Sequence, residues 1–246
     1  MPRFLIRGEE IRDNLAVLAG ENVKHIRRVL RLGVGDEVIL FDEAGWEYHA
    51  KIIDGNSKEI KVDVFRKFLP HRESPLEIIL GQGLPRLPKM DFIVQKGTEL
   101  GVSGILPFNS RRSIPKLSDE KIIRKMGRWR KIALEATKQC GRNLVPHIGS
   151  PIDFTEILAM EFKDSLKFIL WEGERVVGIK EILDMSLDKN RFLVLVGPEG
   201  GFTNREIHEA KEAGFKVVSM GNRILRSETA GISILSVIQY KFGDLN

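Results

Sequence analysis

The sequence predicts an α/β protein in two parts: a small β-barrel over residues 1–70, and an α/β domain with a mostly parallel sheet over residues 75–246. Three observations carry that expectation. Short β-prone runs separated by glycine and asparagine turns fill the first 70 residues. Leu69-Pro70-His71-Arg72-Glu73-Ser74-Pro75 sets two prolines in a polar stretch, the composition of a junction. Beyond it, apolar strands alternate with helical patterns, as a parallel sheet requires.

In the first part, Asn22 to Leu32 has a helical pattern. Val23, Ile26, Val29 and Leu30 share one face, while Lys24, Arg27, Arg28 and Arg31 are basic positions around it. Such a helix suits either RNA or plain solvent. Asp36 to Phe41 and Tyr48 to Ile53 are apolar strands between turn-rich stretches, and Ile60 to Val64 alternates with period two. In the second part, strands are expected at Leu76–Leu80, Ile105–Phe108, Phe168–Trp171, Phe192–Val196 and Lys216–Met220. Helices are expected at Met90–Leu100, Asp119–Gln139, Ile179–Leu183, Thr203–Ala213 and Ser227–Phe242. Thr203 and Glu206 have the spacing of a capping box, and Ser227 stands as a capping residue.

Composition narrows the function. No run approaches 18 consecutive apolar residues, and the N-terminal Met1-Pro2-Arg3-Phe4-Leu5-Ile6-Arg7 is too short for a signal-peptide core. The single cysteine, Cys140, excludes a disulfide framework and a cysteine-based zinc site, and it fits a cytoplasmic location. Residues 71–150 carry 15 Lys and Arg against 7 Asp and Glu, while the first 70 residues are balanced at 12 and 12. A local excess of this kind suits a polyanionic partner or a solvated lysine-rich surface.

Several chemistries drop out. Gly81-Gln82-Gly83 follows a strand, but Arg86 stands where a dinucleotide-binding loop needs its third glycine. No P-loop pattern occurs. The histidines at 25, 49, 71, 147 and 208 do not pair at metal-ligand spacing, so no metal is expected.

Two segments carry a positive signal. Leu193 to Val196 runs as a buried strand into Gly197-Pro198-Glu199-Gly200-Gly201-Phe202-Thr203 and then a capped helix. Ligands of open α/β sheets bind at the carboxyl ends of strands, and glycines let backbone approach them closely. A tight turn without a ligand has the same look. The second segment, Met220-Gly221-Asn222-Arg223-Ile224-Leu225-Arg226-Ser227, again leads from strand to helix. Ile224 and Leu225 are apolar for a loop unless they line a pocket or pack inside. Arg223 and Arg226 suit an anion or a charged surface. Because the two loops follow consecutive strands, they are expected side by side over one pocket.

Gly197-Pro198-Glu199-Gly200-Gly201 and the run from Gly221 through Ser227-Glu228-Thr229-Ala230 resemble the signature of the SPOUT RNA methyltransferases. Within them the chain is most similar to the RsmE family, the 16S ribosomal RNA (uracil 1498-N3)-methyltransferases. Gln95-Lys96-Gly97-Thr98-Glu99-Leu100-Gly101-Val102 resembles a helix of that family. Trp129 to Ala136, Gln139-Cys140-Gly141-Arg142, and His25 to Arg31 also look like its segments.

The resemblance implies a C-terminal domain with a deep trefoil knot, an N-terminal PUA-like barrel holding RNA, and a homodimer in which each site is completed near the partner. It implies S-adenosylmethionine bound against Leu170, Trp171, Glu172, Val196, Gly197, Pro198, Glu199, Gly200, Gly201, Ser219, Met220, Gly221, Ile224, Leu225 and Thr229. Methyl transfer to a uracil nitrogen needs a cation for the negative charge that spreads over the ring, and Arg226 is expected there. Glu228 is expected as proton acceptor or as the group orienting Arg226, or simply as a helix-terminus charge. Arg3, Arg7, Lys24, Arg27, Arg28, Arg31, Arg111, Arg112, Arg142 and Arg223 are expected to contact RNA. The alternatives are another SPOUT enzyme acting on tRNA and an inactive RNA-binding ribosome-assembly factor.

Overall fold

The computed structural model describes residues 1–86, 88–113, 119–186 and 188–245. The chain forms two compact units: Met1–Glu73 with Thr137–Val145, and Ser74–Ala136 with Pro146–Asn246. The proline-flanked stretch holds the junction. The first unit also takes in a returning segment that the sequence reading places in the second part.

In the first unit, β1 (Arg3–Leu5), β2 (Leu15–Ala19), β3 (Glu37–Phe41), β4 (Glu47–Gly55) and β5 (Glu59–Phe68) form one curled sheet in the order β1-β3-β4-β5-β2. Alternation explains β5: Ile60, Val62 and Val64 are buried while Lys61 and Asp63 face out. Phe4, Leu18, Ile26, Val38, Leu40 and Ile52 fill the core. Strands β1 and β2 leave no legible pattern in the sequence. Three residues are too few to show a period, and in β2 the outward positions are apolar Leu15 and Val17, so the alternation is hidden.

Helix α1 (Glu21–Lys24) passes into a π-helical turn at His25–Leu30, closed by Arg31 in the left-handed region with φ 56°. Val23 and Ile26 are buried as expected, but Val29 is 68% exposed. The wider π-turn rotates the later residues away from the face that a regular helix would present.

The returning segment is held by ions. Arg142 Nε donates to Glu73 at 2.8 Å, and the Glu73 carboxylate also accepts from the amides of Asn143 and Leu144 at 2.8 and 3.0 Å. Arg3 donates to the Arg142 carbonyl at 3.1 Å, to Asn143, and to Glu47 at 2.7 Å. Arg3 and Arg142 are therefore corrected: both were expected to meet RNA, yet both are nearly enclosed and spend their guanidiniums on internal carboxylates and carbonyls.

The second unit holds a parallel sheet of β6 (Glu77–Gly83), β7 (Gly104–Asn109), β8 (His147–Ile148), β9 (Ile152–Asp153), β10 (Leu166–Leu170), β11 (Arg191–Val196) and β12 (Lys216–Val218). Their order is β12-β10-β11-β6-β7-β8, with β9 also on β7. All described pairings in it are parallel. Helices α2 (Lys89–Glu99), α3 (Asp119–Cys140), α4 (Phe154–Ala159), α5 (Ile179–Asp184), α6 (Asn204–Glu212) and α7 (Ser227–Phe242) alternate with the strands. Phe192 to Val196 of β11 are all buried, as expected for a strand covered on both faces. Strand β6 runs three residues beyond its expected end, so Gly81, Gln82 and Gly83 belong to the sheet. A Cβ at Gly81 would lie 2.4 Å from Leu195, and one at Gly83 would lie 2.6 Å from Pro198. Those glycines serve close packing between strands and loops, which is why they resemble a nucleotide loop without being one.

Candidate cofactor and catalytic site

Strands β12, β10 and β11 are neighbours, and their carboxyl ends open into one cavity of about 310 Å³. Leu170, Trp171 and Glu172 come from the end of β10, and Val196, Gly197, Pro198, Glu199 and Gly201 from β11. Ser219, Met220, Gly221, Ile224 and Leu225 come from β12 and the loop beyond. The loops after β11 and β12 were expected side by side; β10 lies between them, and its own loop completes the wall. Two expected members stand outside the lining. Gly200 turns its carbonyl to Arg112 Nη1 at 2.9 Å, and Thr229 is exposed on α7.

Glycine is required at two points. Gly221 has φ 104° and Gly201 has φ 66°. At Gly201 a Cβ would also lie 2.5 Å from Glu172.

The walls are pinned from below. Gln82, fully buried at the end of β6, donates from Nε2 to Gly83 O at 3.0 Å, to Ser227 Oγ at 2.9 Å and to Gly197 O at 3.4 Å. Ser227 Oγ in turn donates to Gly197 O. Ser227 is thus corrected from helix cap to loop clip. The cap position is Arg226, whose side chain makes no capping bond, because the Ser227 hydroxyl is turned inward.

Arg226 and Arg223 line the cavity and are exposed. No hydrogen bond or ion pair of the Arg226 guanidinium occurs among the described residues. Ile224 lines the cavity too, yet is 76% exposed, so it lies at the rim.

Lys89, in the first turn of α2, was missed by the sequence reading. Its Nζ lies 3.3 Å from Glu199 and 3.1 Å from Glu228, and the lysine lines the cavity. Burial pulls the Lys89 pKa down, but the bonds to Glu228 and Glu199 outweigh it and hold it above the ordinary lysine value. Burial pushes Glu199 up; its own amide, the Arg86 amide at 3.0 Å and Lys89 outweigh this and hold it below the usual carboxylate range. Glu228, expected as proton acceptor, as the group orienting Arg226 or as a helix-terminus charge, has its described ion pair with Lys89. One signal was available. A cation in the first turn of a helix opposes the helix dipole, which implies carboxylates nearby.

Of the expected RNA contacts, Arg7, Lys24, Arg28, Arg31, Arg111 and Arg112 are exposed. Arg27 is half-buried and donates to Gly55 O at 2.8 Å. Among the described residues no group of three or more potential ligands could hold a metal ion, and no helix is long and apolar enough to cross a membrane.

A family model described as an RNA methyltransferase domain matches residues 72–239, and one described as an RNA methyltransferase PUA domain matches residues 18–65. The chain is 34% identical to the ribosomal RNA small subunit methyltransferase E of Bacillus subtilis, over 91% of this chain and 89% of that one. It belongs to the RsmE family of RNA methyltransferases. The crystal structure of the Neisseria gonorrhoeae RsmE bound to S-adenosyl methionine is 32% identical, superposes with a TM-score of 0.90 and covers 100% of both chains. A putative methyltransferase of Legionella pneumophila in complex with the same cofactor is 34% identical with a TM-score of 0.90, covering 99% of this chain and 98% of that one. The second unit is accordingly the SPOUT-type α/β domain of RsmE proteins, and the first is their PUA-like part.

Proposed function

We propose that the protein methylates N3 of a single uridine, position 1498, in 16S ribosomal RNA of the small subunit, using S-adenosylmethionine. The observation that carries this reading is the cavity at the ends of β10, β11 and β12, with the unpaired Arg226 guanidinium at its rim.

The residues suit the donor. Its size falls at the lower end of small-molecule sites, roughly 300–1,000 Å³. Leu170, Val196 and Leu225 offer apolar surface for an adenine, and backbone groups at Gly197 and Gly221 stand beside them. Glu172 brings negative charge toward a cationic ligand, while the charge of Glu199 is paired with Lys89. When bound, that donor supplies a methyl group on a positively charged sulfur.

The chain's own residues do the rest. Arg226 holds a ring oxygen of the uracil, where negative charge gathers as N3 gives up its proton to solvent. Arginine is too basic to take that proton. We assign Glu228 an electrostatic role, because Lys89 occupies one of its oxygens. The pairing edge of the base must be presented free of its partner, so the nucleotide enters unstacked.

Exposed basic residues such as Arg28 and Arg31 would follow the phosphate chain. We further propose a cytoplasmic homodimer that works without metal. Exposed apolar side chains on the second unit, Val176, Met185 and Tyr240, support association with a second copy.

The test is mass spectrometry of 16S RNA from cells with and without the protein. Loss of 3-methyluridine at one position, restored by the wild-type chain and not by Arg226→Ala, is the expected result. An unchanged 3-methyluridine content, or loss from tRNA instead, refutes the assignment.

A further inference from the structure

The first unit carries an aromatic cluster on the outward side of its sheet that the methyl-transfer site does not use. Strands β4 and β5 shift register at two places; at one of them His49 faces Arg66 and Ala50 faces Val64, leaving Phe65 as an extra residue. This bulge sends Phe65 and Arg66 to solvent in succession, and Phe65 is 53% exposed. His49 stands between two rings, at 6.2 Å and 80° from Phe65 and at 5.3 Å and 72° from Phe68. Arg66 lies over the Phe68 ring at 4.6 Å.

The cluster is held from beneath. His49 Nε2 donates to the buried Glu47 carboxylate at 3.1 Å, which Arg3 and Arg72 fix at 2.7 and 2.8 Å. That carboxylate has no exposed area, so its charge stays covered by its own cations. The histidine is fixed before any ligand arrives, and edge-on contact engages at most one face of Phe65.

We propose that Phe65, with His49 and Arg66, forms a stacking site for an unpaired nucleotide of RNA. An exposed ring accepts any base through its π-face, and a neighbouring guanidinium meets the phosphate. A large apolar partner would need a continuous groove. Here the exposed Phe65 ring stands apart from the Arg66 cation, which lies over Phe68, as base and phosphate stand apart along a strand. The inference rests on the reading of the chain as an RNA methyltransferase only in its choice of RNA.

The experiment measures binding of the full-length protein to a short oligouridine, to an abasic oligomer of the same length, and to polyglutamate. Phe65→Ala should weaken oligouridine binding about tenfold, as expected for one base lost from one ring. It should leave the abasic oligomer and the melting temperature unchanged. Phe65→Trp should restore affinity, and Arg66→Ala should lower the salt slope by about one. Equal oligouridine affinity of Phe65→Ala and wild type overturns the proposal. So does an equal loss for the abasic oligomer, or a preference for polyglutamate that depends on Phe65. Methylation of small subunits by the wild type is assayed in parallel. Its failure would strike the functional reading and leave the binding comparison standing.

Discussion

Replacing Lys89 by methionine keeps the aliphatic stem and removes the charge that Glu199 and Glu228 share. Their oxygens lie 3.3 and 3.1 Å from Nζ, so they are separated by no more than the sum of those distances. At about 6 Å and an effective dielectric of about 20, two unpaired carboxylates repel by about 2–3 kcal/mol. Each of the three side chains is less than one-third exposed, so solvent screens only part of this. For a unit of this size the loss corresponds to roughly 4–12 °C in melting temperature.

The sign with pH follows from the shifts. Glu199 is held below its ordinary pKa, so its contribution is present above the unfolded value of about 4.3 and is lost as pH falls through the folded one. Lys89 is held above its ordinary value, so its contribution is full below about 10.4 and fades as pH rises through the folded pKa. In Lys89→Met the carboxylates repel only while both are ionised. Thermal melts from pH 7 to pH 4 should show the largest deficit at pH 7 and a shrinking one toward pH 4, with Lys89→Arg close to wild type. A deficit that does not change with pH, or none at pH 7, refutes the electrostatic reasoning.

Arg226→Ala should lower the single-turnover rate about 100–1000-fold with cofactor affinity roughly unchanged, recover in part at higher pH, and be only partly rescued by lysine; single-turnover methylation across pH checks this. Gly221→Val forces a branched side chain onto a φ of 104° and should abolish S-adenosylmethionine binding in calorimetry while the far-ultraviolet dichroism stays native. Arg142→Ala leaves the Glu73 carboxylate with its two amide donors alone and should cost about 1–3 kcal/mol in denaturant unfolding, with the salt slope of RNA binding unaltered. A milder loss accompanied by a shallower slope would return Arg142 to the RNA-contacting set.

Elements written in local chemistry were legible. Thr203 and Glu206 form the capping box that their spacing announces, with Glu206 N donating to Thr203 Oγ1 at 3.2 Å and Thr203 N to Glu206 Oε2 at 2.8 Å. The apolar run of β11 was equally plain. Strands of two residues, such as β8 and β9, have no period to detect. The loops lining the cavity were legible because strand ends and glycines mark them. The partners of charged residues were not: Arg3, Lys89 and Arg142 meet carboxylates 44, 110 or more, and 69 positions away, and nothing local distinguishes them from surface cations.

The Gln82 amide joins β6, the loop after β11 and the start of α7, three stretches made at widely separated moments of synthesis. Until Ser227 has left the ribosome, the Gly197 carbonyl lacks its clip and the rim carrying Arg226 does not exist. A nascent chain can therefore complete its PUA-like sheet long before it has a cavity, and cofactor retention marks a chain that has been made past Ser227.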